Sequence, residues 1–389
     1  MEEILYRYNP WWEEEFRLRD IMPRPSVFRP LKRSFFSRDI VFLTGLRRVG
    51  KTTLLKLLIR DLAERENINV KYIFYVSLDD YLLAKRSLIE IIEEYRKIHR
   101  IRFREKVFLF LDEIAYLDNF ELQLKNLYDS HNVKIYASSS SASILRSKKP
   151  YLTGRHTIVE VLPLNFEEFL QFRNIKIGKS DEHLIDSYLD EYLRTGGLPE
   201  YVLRGDIEYL KELVDDIIFK DIAAFYKIKN LQILKDLFLL LMERAGKTLS
   251  INKIARILAI SPDSAKRYLQ MFVNTYLVHI IPRCGKTNER ILSPKKIYSA
   301  DLGIRTLFTG FRDKGSLFEN YVYLRIKDRN PCYIHEGGIE IDFLTSEKTL
   351  IEVKYMSDLT KKQQMLFDKL KANRKVVIKD IKSLNKYLE

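Results

Sequence analysis

The spacing of Gly45, Gly50, Lys51 and Thr52 in GLRRVGKTT is G-x-x-x-x-G-K-T, and it directly follows the β-rich run DIVFLT, Asp39 to Thr44. Glycines at both ends of such a loop let successive backbone N–H groups turn inward on phosphate oxygens, and the helix that follows adds its positive N-terminus. The whole loop, Gly45, Leu46, Arg47, Arg48, Val49, Gly50, Lys51, Thr52 and Thr53, is therefore expected to cradle nucleotide phosphates. Lys51 would neutralise the β and γ phosphates, and the Thr52 hydroxyl would ligate Mg2+. A second apolar run, VFLFL from Val107 to Leu111, ends in Asp112 and Glu113. A carboxylate there can hold Mg2+ through water, and the next can orient or deprotonate the attacking water, so Asp112 is assigned to the metal and Glu113 to catalysis. A third run, Val133 to Ala137, leads into Ser138, Ser139, Ser140 and Ser141, a place from which a polar side chain could sense the γ phosphate.

A separate constellation lies toward the C-terminus. Asp342 is followed by nine residues and then by Glu352, Val353 and Lys354. The side-chain period of two along a strand puts Glu352 and Lys354 on one face. Two carboxylates at adjacent strand ends can hold Mg2+ or Mn2+, while an ammonium positions or activates water and stabilises charge developing on a phosphate.

The elements that must position these groups can be read from periodicity. Short buried strands precede the phosphate loop, Asp112 and the serines. From Phe166 to Leu241 apolar residues recur at helical spacing, with Gly196, Gly197 and Pro199 as a turn. Then come a helix from about Ile251 to Leu258, a turn around Ile260 to Pro262, a helix from Asp263 to Asn274 and a β-like run from Tyr276 to Ile281. That order describes a winged helix-turn-helix in which Asp263, Ser264, Lys266 and Arg267 could face a DNA groove or its phosphates. Glu319 falls on a helix, SLFENYVYLRI, and the strands around Asp342 and Glu352 form a hairpin closed by the polar turn Thr345 to Thr349.

Taken together, the segments GLRRVGKTT, LDEI, SSSSASIL, YLTGR and PLNFEEFL resemble AAA-type and related P-loop ATPases of archaea and bacteria. TGGLPEYV and YSADLGIR extend the likeness over most of the chain. The family usually carries Gly before its sensor serines, where this sequence has Ser139. The resemblance implies an ATP-dependent α/β P-loop core with a helical lid, and it makes Arg155 a candidate for contacting the γ phosphate, in cis or from a neighbouring subunit. The C-terminal pattern resembles the restriction-endonuclease-like PD-(D/E)xK superfamily, a fold in which such ATPases commonly end. By that likeness Glu319, Asp342 and Glu352 are metal ligands, Lys354 is catalytic, and Gln363 or Gln364 is an auxiliary contact. Ile341 stands where the superfamily has Pro.

The 389 residues, 46% hydrophobic and 31% charged, fit several globular domains. The expected division is an N-terminal arm, extended and packed on the body (1–38), a P-loop ATPase core (39–165), a helical lid (166–241), a winged helix-turn-helix (242–290) and an α/β nuclease-like domain (291–389). No apolar run is long enough to cross a bilayer. The first residues, acidic and with two Trp, argue against a signal peptide. With only Cys284 and Cys332, a disulfide framework is excluded and a reducing cytoplasm is expected. Few Gln among many charged residues hints at a heat-adapted protein, and the resemblance to those ATPases implies an archaeal source. The net charge is +14, and Arg283 to Glu389 holds 22 Lys plus Arg against 14 Asp plus Glu. That excess points to a polyanion, with DNA favoured. The expectation is a Mg-dependent ATPase coupled to nucleic-acid binding or processing, with homo-oligomers possible. A regulatory switch that binds a partner protein and carries an inert nuclease-like domain is the competing reading.

Overall fold

The computed structural model describes residues 1–14, 21–141 and 152–389. Ala142 to Leu145 of SSSSASIL and Tyr151 of YLTGR lie outside the described residues. The chain divides into two compact units, Met1–Val161 and Leu162–Glu389.

The first unit is built on a five-stranded parallel sheet of β1 (Ile40–Thr44), β2 (Ile73–Ser77), β3 (Val107–Asp112), β4 (Val133–Ser139) and β5 (His156–Glu160), in the order β2-β3-β4-β1-β5. The strands follow the apolar runs because both sheet faces are covered: β1, β3 and β4 are buried throughout. Helices Lys51–Glu64, Leu88–Ile98 and Phe120–Ser130 connect them, the second opened by a reciprocal Ser87–Glu90 cap. The N-terminal arm is helical where an extended arm was expected, with helices Glu2–Tyr8 and Pro25–Arg33. Asn9 explains how it docks. Its amide gives to Tyr75 O at 2.9 Å and takes from Tyr75 N at 2.6 Å, so one side chain supplies a ladder partner to edge strand β2. The indoles of Trp11 and Trp12 both donate to Ile73 O.

The second unit begins with helices, including Phe166–Phe172, Ile185–Thr195, Ile207–Asp216 and Leu231–Glu243. Next come β6 (Thr248–Leu249), helices Ile251–Ile257 and Pro262–Asn274, β7 (Val278–Ile281) and β8 (Lys295–Ser299). These strands form an antiparallel sheet in the order β6-β8-β7. After helices Leu302–Thr309 and Lys314–Ile326, β9 (Cys332–Glu336), β10 (Ile339–Leu344), β11 (Thr349–Val353) and β12 (Arg374–Ile378) make a second sheet, β12-β11-β10-β9, with helix Lys361–Lys369 packed on β10.

TGGLPEYV and YSADLGIR meet in this unit. The Asp301 carboxylate caps helix Leu302–Thr309 and also accepts from Gly197 N at 2.7 Å. A Cβ on Gly303 would stand 2.0 Å from Thr195 O, so only glycine permits the approach. Burial pushes Asp301 up to about 6. The cysteine expectation is corrected: Cys284 and Cys332 form a disulfide, within a register where Cys284 N donates to Tyr333 O. Counting cysteines could not show that β9 returns beside the segment after β7.

Candidate functional site

The sheet order explains the first site. β4 lies between β3 and β1, so its terminal serines stand between Asp112 and Glu113 on one side and the phosphate loop on the other. Gly45 has φ +138, and a Cβ there would lie 2.3 Å from Val161 O. Arg48 (φ 63) and Gly50 (φ 96) are also left-handed, which curls the loop into a run of inward N–H groups ahead of helix Lys51–Glu64. Leu46 and Val49 turn their side chains into the core. Their backbone amides are thus what they can offer a phosphate.

Lys51 is buried, its ammonium held by Gly45 O at 3.1 Å, Leu46 O at 3.0 Å and Ser140 Oγ at 2.9 Å. Ser140 in turn donates to Glu113 Oε1 at 2.6 Å, and its N–H reaches Glu113 Oε2 at 3.2 Å. Glu113 is left-handed (φ 50), an uncommon backbone for a non-glycine residue, and its N–H donates to Ser138 Oγ at 3.0 Å. Ser138 donates to Asp112 Oδ1. Asp112 Oδ2 accepts from Thr52 Oγ1 at 2.7 Å and from the Tyr75 hydroxyl at 2.8 Å. The Thr52 hydroxyl and the Asp112 carboxylate are thus two hard oxygen donors meeting at the loop, a set that would suit Mg2+. Sequence reasoning left the four serines equivalent. The structure singles out Ser140, which joins Lys51 to Glu113, and it adds Tyr75 and Arg24, whose guanidinium holds Val49 O at 3.1 Å. Nothing in the sequence marked those two.

Arg155 is placed elsewhere. It precedes β5, its carbonyl accepts from Ile40 N, and its guanidinium pairs with Asp129 at 3.4 Å. The phosphate loop leaves the opposite end of β1, roughly 13 Å away along the strand. A γ-phosphate contact by Arg155 in cis does not fit that geometry.

The C-terminal residues do gather. Asp342 Oδ2 accepts from Val353 N at 2.9 Å, while Glu352 Oε2 accepts from Asp342 N at 3.2 Å. Lys354 lies 3.0 Å from Glu352 Oε1, and Gln363 donates to the same oxygen at 3.1 Å. Gln364 instead bonds Asp368. At the centre is a residue the sequence did not flag: Lys296, 2.7 Å from Glu319 Oε1, 2.6 Å from Glu340 Oε1 and 3.0 Å from Asp342 Oδ1. The Tyr298 hydroxyl also donates to Glu319. Burial, then the neighbouring Asp342, pushes Glu319 up to about 7 and Glu352 up to about 8. Burial alone would lower Lys296, but Glu319, Tyr298, Asp342 and Glu340 together hold it well above the usual lysine range. Of the three acids expected as metal ligands, Glu319 and Asp342 therefore meet the Lys296 ammonium, together with Glu340, and Glu352 meets Lys354. Among the described residues no group of three or more His, Cys, Asp or Glu is arranged to hold a metal.

The parallel sheet, the glycine loop after β1 and the paired acids after β3 define a P-loop ATPase of the AAA type, and residues 37–170 match the AAA domain family AAA_14. Residues 186–315 match a domain of unknown function, DUF8612. The chain belongs to the same family as the uncharacterized protein MJ1544 of Methanocaldococcus jannaschii, which is 31% identical over 379 residues, 92% of this chain and 82% of the relative. MJ1637 of the same organism is 27% identical over 97% of this chain and 87% of its own length. The Walker-type ATPase PABY2304 of Pyrococcus abyssi is similar over 76% of this chain and 98% of its own, at 16% identity and a TM-score of 0.45. Among the described residues no helix is long and apolar enough to cross a membrane.

Proposed function

We propose that this ATPase binds and hydrolyses Mg-ATP at Lys51, Thr52, Asp112 and Glu113, and that its nucleotide state governs engagement of DNA by the second unit. The observation that carries the first part is the link from Lys51 through Ser140 to Glu113. Loss or movement of the γ phosphate at Lys51 would alter the group that orients water. Thr52 and Asp112 would organise Mg2+, which supplies charge neutralisation on the phosphates.

For the second part we read residues 248–299 as a winged helix-turn-helix, with Pro262–Asn274 as the helix offered to DNA and β7–β8 as the wing. The wing boundary then falls near 299 rather than 290, because β8 pairs with β7. The segment 166–241 is read as the lid, and the remainder as a nuclease-like fold. The reading is supported by crowded cations. Lys295 donates to the Arg290 carbonyl, and it is held below the ordinary lysine range first by burial and then by the charges of Arg290 and Lys266, the three cations that this helix and wing would offer DNA. Like charges held close are costly until a polyanion meets them. Binding rather than cleavage is proposed, since Glu319 and Asp342 are engaged by Lys296 and Glu352 by Lys354.

Two measurements test this. Lys51→Ala is expected to abolish ATP hydrolysis, and a surviving rate would overturn the site. Binding of duplex DNA with a non-hydrolysable ATP analogue is expected to weaken steeply with salt. The Lys266→Ala/Arg290→Ala pair should lower the log–log salt slope by about two. Binding that is absent, or independent of salt, would overturn the DNA reading.

A further inference from the structure

Lys296 sits on the middle strand of its sheet, its backbone paired with Thr248 on one side and Ile281 on the other. Its side chain is 1% exposed and runs past the rings of Tyr298 and Phe343. An ammonium has three N–H groups, and three carboxylate oxygens, from Glu319, Glu340 and Asp342, stand 2.6 to 3.0 Å away. A buried charge is tolerated only when paired and hydrogen-bonded in this way.

Asp342 Oδ2 and both oxygens of Glu352 are also engaged. Asp342 and Glu352 reach across the hairpin to the backbone of the opposite strand, Asp342 Oδ2 accepting from Val353 N and Glu352 Oε2 from Asp342 N. These bonds extend the β10–β11 ladder beyond its last paired residues, Phe343 and Ile351. Lys354 and Gln363 share the remaining Glu352 oxygen. A divalent ion would need at least two of these oxygens and would have to sit against an ammonium that is fixed by its strand and shut off from water. The residues therefore do not fit the metal that the nuclease-like pattern implies.

We propose that Lys296 is the resident cation of this cluster, filling the place a divalent metal would take, so that Glu319, Asp342 and Glu352 form a structural clasp and not a metal-dependent hydrolytic centre. The carboxylates and ammonium close the second sheet onto β8, and the cluster needs no exogenous ion. The idea depends on neither nucleotide nor DNA, so it can fail while the ATPase reading stands.

The test is Mn2+ binding to the nucleotide-free full-length chain, followed by electron paramagnetic resonance of the free ion, in the wild type, Asp342→Asn, Lys296→Met and the Lys296→Met/Asp342→Asn double variant. The expected result is identical Mn2+ binding in wild type and Asp342→Asn. Folded Lys296→Met should gain a site at least about tenfold tighter than any in the wild type, lost again in the double variant. Wild-type binding that Asp342→Asn abolishes would overturn the proposal. So would a folded Lys296→Met, verified by circular dichroism, with no gain in Mn2+ binding. If Lys296→Met does not fold, the wild-type against Asp342→Asn comparison decides alone: equal binding supports the clasp and a difference refutes it.

Discussion

Replacing Ser140 by Ala removes one hydroxyl that serves two charged groups: it accepts from Lys51 at 2.9 Å and donates to Glu113 at 2.6 Å. Both bonds involve an ionisable partner, a class worth about 1.5–3 kcal/mol each. The Ser140 N–H still reaches Glu113 Oε2, and Lys51 keeps the Gly45 and Leu46 carbonyls, so only part of the network is lost. Charging one such bond to the barrier gives a fall in kcat of roughly 10- to 150-fold. The loop amides proposed to hold the phosphates are untouched, so nucleotide affinity should change little. Ser139→Ala is the control, because among the described residues the Ser139 hydroxyl bonds only the local Ser141 backbone. Steady-state hydrolysis and nucleotide titration would separate kcat from binding. The reasoning is refuted if Ser140→Ala keeps kcat within about twofold of wild type, or if Ser139→Ala is the more damaging change.

Two further outcomes concern stability of the second unit. The Cys284–Cys332 bond closes a loop of sequence separation 48, for which chain entropy gives an upper value of about 4 kcal/mol. Cys284→Ser/Cys332→Ser should therefore melt lower than wild type in thermal scans, and reductant should shift only the wild type; a reductant-insensitive wild type would sink the assignment. Asp301 supplies a pH dependence. Its folded pKa of about 6 lies above its unfolded value, so the stability it contributes is full below that unfolded value and is lost as pH rises through about 6. Between pH 5 and 7.5 the loss should be about 1 kcal/mol. Melting temperatures of wild type and Asp301→Asn should then converge or cross toward pH 7.5, and parallel curves would count against a raised Asp301.

What could be read from the sequence follows from whether information was local. The phosphate loop is contiguous, and each residue acts through its own backbone or through the helix it begins, so its geometry was legible down to Gly45 and Gly50. The hairpin carrying Asp342 and Glu352 was legible for the same reason, since alternation and one polar turn fix which residues face each other. Four consecutive serines carry no local mark of which one meets Lys51; that is set by β4 lying between β3 and β1. Lys296 was hidden more deeply. Lys295 and Lys296 are adjacent and chemically alike, yet the first is half-buried and the second fully buried. The acids that neutralise Lys296 come from a helix and a strand 23 to 46 residues later. The arm shows the same limit, because Asn9 gains its meaning only from edge strand β2, 66 residues away.

The two acidic groups also show why residue types and spacing alone underdetermine chemistry. Asp112 is surrounded by neutral hydroxyls from Thr52, Tyr75 and Ser138. Among the described residues no ion pair is seen at its carboxylate, and hydroxyls can re-bond or ligate when a divalent cation arrives with phosphate. Asp342 lies against a buried ammonium instead, so its charge is met within the chain and an incoming dication would find a like charge where it needs a ligand. Carboxylates at strand ends are thus read as metal sites or as structural ones by the partner each already has. Here the hydroxyl-lined acid stands beside the phosphate loop, and the lysine-filled acids hold a hairpin together.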